Sequence, residues 1–464
     1  MDATMNASFA PHPEGIAAFA AAFGNRFTTS VSVCTTHGSS TGIVMPGEGV
    51  LFASNGDEIL EALRLCREHR VPLIPWGGGT SVDGNTAAVQ GGIFLDLSRM
   101  KDVLRLSTED QDCTVQAGIT RQALNSYLRD TGLFFPIDAC PEATIGGMVS
   151  LRASGTTAIR HGTMREQVLG LTVIMADGKT IRTGGRARKS AAGYDLTHLF
   201  VGSAGTLGVI TEVTLRLEGI PGDVAAATCA FPPLEAAMNA VIAIIQAGLP
   251  MAKIEIMDEV QIACCNEYMK LGLKNMPYLF MEFDGLPEAN RANAAHAEGI
   301  ATELGGEGFQ WAATADERDR IWRARHNNGA SAHHVRPGAE IIATDVTVPI
   351  SRLAECLVET QRDLKAVSFL GPISGHVGDG NFHVLLLLDP RDGKQQREAE
   401  WFKDRLVERA LRMEGTCSGE HGMGVAKKKW ATEEFGPGAL AAMRTVKQAF
   451  DPLNILNPGK IFDL

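Results

Sequence analysis

Among its nine cysteines, from Cys34 to Cys417, the sequence has no Cys-x-x-Cys pair. Neither a zinc ribbon nor an iron–sulfur cluster is written in that spacing. An odd number of irregularly placed thiols suits a reducing compartment better than a disulfide framework. No apolar run reaches the ~18 residues that a membrane helix needs. The start, Met1-Asp2-Ala3, carries no basic segment ahead of its alanines, so no secretory leader is expected. Clustered positive charge is scarce as well: 43 Lys and Arg against 54 Asp and Glu give a net charge of −11. Phosphate affinity needs grouped cations, so nucleic acid is excluded as a partner. The one basic run, Lys427-Lys428-Lys429, reads as a solvated helix face, with docking of an acidic redox partner as its alternative. Repeats and low-complexity segments are absent. A cytoplasmic location is expected; peripheral membrane contact and a homodimer are left open.

What is present points to two or three folded domains. The 464 residues are 45% hydrophobic, enough for large cores, and many of the 50 glycines cluster in tight loops. Residues 14–24 read as an alanine-rich helix. The stretch 57–70 has helical periodicity, with Ile59, Leu60, Leu63 and Leu65 on one side. Strands are expected at 71–75, 92–97, 113–117, 169–175 and 209–217, with a hairpin turn at Asp177-Gly178. In 209–217 alternate residues are apolar, as in a half-exposed strand. A boundary is expected at Gly219-Ile220-Pro221-Gly222. Beyond it a helix (234–248), a strand (278–283) and a helix (289–304) suggest an α+β layer.

Three small-residue segments carry the first chemical signal. One is Pro75-Trp76-Gly77-Gly78-Gly79-Thr80-Ser81, which follows a strand and continues to Gly84. Consecutive glycines let backbone N–H groups converge on an anion, and Thr80 and Ser81 add hydroxyl donors. The second segment contains Thr144-Ile145-Gly146-Gly147, Ser154 and Gly162; the third is Gly202-Ser203-Ala204-Gly205-Thr206-Leu207-Gly208, followed by Val209-Ile210. Together they suit a long cavity in which a dinucleotide meets backbone. The third segment is not a Rossmann loop, because a strand follows it where a phosphate-binding helix would have to begin.

The second signal is Ser374-Gly375-His376-Val377-Gly378-Asp379-Gly380-Asn381-Phe382-His383 together with Glu420-His421. Asp379-Gly380 turns the chain and brings His376 towards His383; Glu420 would complete a two-histidine, one-carboxylate site for Zn, Mn or Fe. Taken singly, each residue is better read as a polar hairpin residue or a helix cap. Their grouping with His421 among glycines beside the apolar run 384–388 weakens that reading considerably.

At these motifs the chain resembles the FAD-binding domain of the vanillyl-alcohol oxidase and p-cresol methylhydroxylase (PCMH) superfamily. More narrowly, from about Gly47 onward, it resembles the FAD-linked D-lactate dehydrogenases, with relatives acting on glycolate and D-2-hydroxyglutarate. The resemblance implies an α+β fold: a two-subdomain PCMH-type FAD-binding domain at 1–220, a ferredoxin-like substrate domain at 221–425, and a helical segment at 426–464 returning to the FAD. It implies that Trp76 to Ser81 hold the pyrophosphate and that Pro141, Thr144, Gly146, Gly147, Ser154, Gly162 and Ile210 flank the cofactor. Pro75, Gly84 and Asn457 are counted with them. His376, His383 and Glu420 match the metal ligands, His421 the base, Arg325 the carboxylate-binding arginine, and Asn381 a contact to substrate or ligand. Two positions depart from the pattern: His161 stands where relatives usually carry tyrosine and Ala204 where they carry glutamate. Thr80 and Ser81 follow the glycines where covalent relatives often carry histidine, so non-covalent FAD is expected.

The implied reaction is oxidation of a small D-2-hydroxy acid, D-lactate to pyruvate in the first place, by metal-assisted deprotonation and hydride transfer to the flavin. Relatives specific for D-2-hydroxyglutarate carry a lysine just before the residue matching Asp345; here Thr344 stands there. A second substrate carboxylate would lack that partner, at a cost of roughly 1–3 kcal/mol. Quinone, cytochrome c and electron-transfer flavoprotein are the electron acceptors considered. A zinc hydrolase is the rival reading; it lacks His-Glu-x-x-His and leaves the glycine segments unexplained.

Overall fold

The computed structural model describes residues 9–312 and 314–464, so the expectation at Met1 to Ala3 falls outside the described residues. Two units emerge. One takes the chain up to Gly155, His161–Ile220 and Glu420–Leu464; the other takes Thr156–Arg160 and Pro221–Gly419. The chain re-enters the first unit at Glu420, ahead of the residue 426 expected from sequence. None of the nine cysteines is in a disulfide.

In the first unit the alanine-rich stretch forms helix α1 (Pro13–Phe23). Helix α2 (Gly56–His69) follows from local rules. Asn55 Oδ1 accepts the Glu58 N–H at 3.0 Å and caps it, Arg70 closes it in the left-handed region, and Ile59, Ala62, Leu63 and Cys66 make its buried stripe. Strands β1 (Phe27–Thr28), β2 (Gly49–Phe52), β3 (Leu73–Trp76) and β4 (Ile93–Asp96) form a sheet in the order β1-β2-β4-β3. Its three longer strands are parallel. A short helix α3 (Ile145–Leu151) carries the second glycine segment.

A second sheet is antiparallel: β5 (Val103–Ser107), β6 (Asp112–Gln116), β7 (Val168–Ile174), β8 (Thr180–Gly184) and β9 (Val209–Arg216), in the order β8-β7-β9-β6-β5. The expected turn is there: Gly178, at φ +86°, donates its N–H to Met175 O and joins β7 to β8. The expectation for 209–217 needs correcting. β9 is buried on both sides at its start, because Val209 packs into the α2 core while Ile210, Val213 and Leu215 pack into the α3 core. The C-terminal helix, Ala431–Phe450, breaks at Gly436 before Pro437. The tail beyond it bonds to β3: Leu73 N–H donates to Ile455 O at 2.7 Å, and Asn457 N–H to Leu73 O at 2.9 Å.

The second unit is built on an antiparallel sheet. Its strands are β10 (Asp223–Ala230), β11 (Lys253–Met257), β12 (Tyr278–Gly285), β13 (Glu307–Ala312), β14 (Glu340–Ala343), β15 (Val346–Thr347), β16 (Ile373–Gly375) and β17 (Asn381–Leu388). The order is β13-β10-β12-β11-β16-β17-β14, with β15 paired to β17. Helices α4 (Leu234–Gln246), α5 (Glu259–Met269), α6 (Pro287–Glu303) and α7 (Ala315–His326) accompany it. Ala226, Ala230, Tyr278 and Phe280 on the strands share a core with Ile262 and Cys265 of α5 and Trp322 of α7. The ferredoxin-like layer expected from sequence is thus part of a larger sheet, and the α+β class holds.

Candidate active site

In the first unit the three glycine segments pack on one another. β3 delivers Pro75 and Trp76 into the loop, where glycine is needed for space: a Cβ on Gly77 would lie 2.1 Å from Thr144 Oγ1, and one on Gly78 would lie 2.5 Å from Glu142 O. Thr144 caps α3, and Gly146 N–H donates to Ala117 O at 2.7 Å. The third segment docks on α3 through Gly202 N–H to Val149 O and Ala204 N–H to Ser150 O, and a Cβ on Gly205 would touch Pro75. Gly78, Gly79 and Thr80 stay exposed at the loop tip. Ser81 Oγ and Ser203 Oγ are buried without a hydrogen-bond partner, an arrangement that an uncharged anion cradle would leave. These residues fit the pyrophosphate of a dinucleotide.

The other residues expected at the cofactor are scattered around this nucleus. Ile210 is core. Pro141 is exposed, and its carbonyl accepts the Gln122 N–H. Gly162, at φ +74°, precedes a capping box made by Thr163 and Glu166. Asn457 Nδ2 donates to Ala204 O at 2.7 Å and Asn85 O at 3.2 Å, while its Oδ1 is buried without a partner. Ser154 Oγ donates to Glu420 Oε2 at 3.2 Å.

Glu420 and His421 begin a segment clamped onto residues 82–85. Asn85 Nδ2 donates to His421 O at 2.9 Å, Val425 N–H donates to Asp83 O, and a Cβ on Gly84 would meet Val425. Asp83 Oδ2 lies 3.7 Å from His421 Nδ1 and 3.3 Å from Lys427 Nζ. Lys427 therefore corrects the reading of the basic run as a solvated face: it is buried against Asp83, Lys428 bridges to Asp463, and only a short 3-10 turn spans Lys428–Trp430. Lys460 was also missed by the sequence reading. Its Nζ donates to Ala87 O, and burial pushes its ammonium down to about 7.

In the second unit, β16, the turn and β17 form the expected hairpin. Gly380 adopts φ +76°, a Cβ there would lie 2.0 Å from Val348 O, and a Cβ on Gly375 would lie 2.5 Å from Phe382 Cα. The hairpin brings the rings of His376 and His383 together, edge to face at 5.5 Å between centroids. Each ring is held through Nδ1: His383 donates to Thr344 O at 2.9 Å, and His376 to Glu255 Oε1 at 2.7 Å. Ligation would go through the Nε2 atoms, and two imidazoles held this way fit a divalent ion of borderline hardness.

Glu255, in the middle of β11, is fully buried, and its other oxygen accepts Arg325 Nε at 2.8 Å and Nη2 at 2.7 Å. Burial pushes the Glu255 carboxyl up, His376 and Arg325 pull it down, and the net displacement is downward. Arg325 on α7 therefore belongs to a buried ion pair, whereas Arg323 is exposed. Asn381 braces the hairpin: its Nδ2 donates to Asp345 Oδ1, Val346 O and Thr347 Oγ1. Ser418 Oγ donates to Asp345 Oδ2, and Gly419 sits so tightly on Asn381 that a Cβ would lie 2.2 Å from Nδ2. Thr344 keeps its hydroxyl on the Val384 N–H.

Comparison with known proteins adds to this picture. A family model described as "FAD linked oxidases, C-terminal domain" matches residues 220–461, and one described as "FAD binding domain" matches residues 47–184. The chain is 46% identical over 422 residues to "Probable D-lactate dehydrogenase, mitochondrial" of Danio rerio, spanning 90% of this chain and 85% of that one. It is 42% identical over 412 residues to "D-lactate dehydrogenase [cytochrome], mitochondrial" of Arabidopsis thaliana, spanning 89% and 73%. Among solved structures, 4-ethylphenol oxidase from Gulosibacter chungangensis superimposes with a TM-score of 0.80 at 17% identity, over 97% of each chain, a likeness of fold.

Proposed function

The chain belongs to the FAD-linked D-lactate dehydrogenases of the vanillyl-alcohol oxidase and p-cresol methylhydroxylase superfamily, and from that membership we propose that it oxidises D-lactate to pyruvate with help from a divalent cation. The observation that carries the proposal is the hairpin pair His376 and His383, with Arg325 tied to the same buried carboxylate as His376. Such a group offers a cation site on the hairpin and a carboxylate-binding fork on α7, joined through Glu255.

In this reading Gly77, Gly78, Gly79, Thr80 and Ser81 hold the FAD pyrophosphate, Pro141, Thr144, Gly146, Gly147 and Gly162 flank the cofactor, and the flavin is non-covalent. His376, His383 and Glu420 hold one cation, Zn, Mn or Fe. Bound FAD supplies a two-electron acceptor, and the cation supplies charge that lowers the pKa of a hydroxyl. Arg325 binds the substrate carboxylate and fixes which face of C2 is presented. His421 accepts the hydroxyl proton at Nε2, the nitrogen away from Asp83, while the C2 hydrogen leaves with its electron pair. Thr344, already committed to Val384, offers no charge to a second carboxylate, which favours D-lactate over D-2-hydroxyglutarate. The name of the Arabidopsis relative makes a cytochrome the first electron acceptor to try. No helix among the described residues is long and apolar enough to cross a membrane.

The test is anaerobic flavin bleaching. D-Lactate should bleach the flavin faster than D-2-hydroxyglutarate or glycolate, L-lactate should not bleach it, and a chelator should slow the reaction. Protein that cannot be reconstituted with FAD, or flavin that D-lactate leaves oxidised, overturns the proposal.

A further inference from the structure

Glu255 is out of place in its strand. Its neighbours Ile254 and Ile256 are buried apolar residues, and Glu255 is itself fully buried. A buried carboxylate is costly, and an apolar side chain of similar size would serve packing better. Both of its oxygens are engaged, one by His376 and the other by Arg325, whose positions lie 121 and 70 residues away in the chain. Resting on the reading of His376 as a metal ligand and Arg325 as the carboxylate clamp, we propose that Glu255 is the positioning residue that sets both. It fixes the tautomer of His376 and decides which edge of Arg325 meets the substrate.

The two halves of the argument are geometric. A carboxylate oxygen accepts, so His376 carries its proton on Nδ1 and ligates through Nε2; the carboxylate also makes the imidazole a stronger donor. A guanidinium has a side edge, made of Nε with one Nη, and an end edge, made of the two Nη atoms. Glu255 takes the side edge of Arg325 through Nε and Nη2. In the amide orientation that satisfies both ends of Asn328, Nη1 also reaches the Asn328 oxygen at 3.2 Å. A substrate carboxylate is therefore received end-on by one hydrogen from each Nη, and its angle to the cation is set through Glu255 and not by Arg325 alone.

Glu255→Gln separates this role from packing. The amide keeps shape and volume but has one acceptor. If its oxygen stays with Arg325, its NH2 faces His376 Nδ1 and forces the proton to Nε2, where it blocks ligation. If it flips, it opposes the Arg325 donors. On FAD-loaded protein, Mn²⁺ affinity is read from the free-ion EPR signal without substrate, and pyruvate affinity from the flavin spectrum with chelator present. Expected for Glu255→Gln are unchanged flavin content, Mn²⁺ binding weaker by about 10- to 100-fold, and weaker pyruvate binding. KM for D-lactate should rise in proportion to the loss in pyruvate binding. Mn²⁺ affinity within twofold of wild type overturns the proposal. His376→Gln separates that failure from failure of the site itself: if it too leaves Mn²⁺ binding intact, His376 is no ligand and the reading beneath the proposal falls. Should Glu255→Gln lose flavin or fold, Glu255→Asp is measured in its place. It keeps the charge but cannot reach both partners, and retention of both affinities there also overturns the proposal.

Discussion

Ser154 Oγ donates to Glu420 Oε2 at 3.2 Å, which ties the loop after α3 to the carboxylate expected at the metal. Sequence resemblance put Ser154 at the cofactor, and the hydrogen bond gives it a second task. A hydrogen bond to a charged group is worth about 1.5–3 kcal/mol. Ser154→Ala is therefore expected to weaken metal binding by about 10- to 100-fold while the flavin stays bound. Flavin and metal content measured on the same dialysed sample distinguish the roles: loss of flavin with metal retained would return Ser154 to the cofactor alone.

Crowding at the nucleotide loop gives a graded prediction. Gly77 and Gly78 have no space for a Cβ, and the obstacle at Gly78 is the backbone carbonyl of Glu142. Gly77→Ala and Gly78→Ala should each destabilise by about 1–3 kcal/mol and release FAD on gel filtration, Gly78→Ala more completely because backbone yields less than the Thr144 side chain. Gly299, exposed within α6 with nothing near its Cβ position, is the control. Gly299→Ala should gain about 0.8–1 kcal/mol from helix propensity and keep its FAD.

Much of this was legible in the sequence, for identifiable reasons. α2 announced itself through the periodicity of Ile59, Leu60, Leu63 and Leu65 and its position before a strand, both local signals; its Asn55 cap emerged only in the structure. Asp379-Gly380 and Asp177-Gly178 announced their turns through backbone chemistry. Glu255 did not, because Lys253-Ile254-Glu255-Ile256 alternates in a way that puts Glu255 outward with Lys253; only the long-range partners His376 and Arg325 explain its burial. Lys427 was hidden in the same way inside a run of three lysines, since its partner Asp83 lies far away in sequence. β9 was misread because alternation describes one buried face, and the strand's start has a core on each side.

Asp258 gives a pH signature independent of catalysis. It is buried at the start of α5, where Oδ1 accepts the Gln261 N–H at 2.8 Å, and burial pushes its carboxyl up to about 8. Between the ordinary carboxyl value near ~4 and about 8, the folded protein keeps a proton that the unfolded chain has released. This residue's contribution to stability therefore falls as pH rises through that window. Asp258→Asn keeps the capping oxygen and cannot ionise. Its melting temperature should match wild type near pH 4 and exceed it increasingly towards pH 8, at roughly 1 °C per kcal/mol recovered for a chain of this length. Equal melting curves across the range would mean that the carboxyl ionises at little cost where it stands.

In the proposed reaction His421 is the base that takes the hydroxyl proton. Asn85 holds its carbonyl, and Asp83 lies 3.7 Å from its Nδ1, so the loop that follows the glycine run fixes the backbone of His421 and sets a carboxylate beside its ring. His421→Ala keeps the Asn85 contact to its backbone, and Lys427 remains beside Asp83, so FAD content and melting temperature should stay near wild type. Flavin reduction by D-lactate should slow by about 10²- to 10⁴-fold, the usual contribution of a positioned general base. Added imidazole should restore part of the rate, more at pH 8 than at pH 6, because only neutral imidazole accepts a proton and its pKa lies near that of histidine, ~6.5. Stopped-flow bleaching with and without imidazole provides the measurement. Reduction at the wild-type rate would move the base elsewhere, and a slow variant that imidazole cannot assist would leave His421 a role in orienting substrate and none in taking its proton.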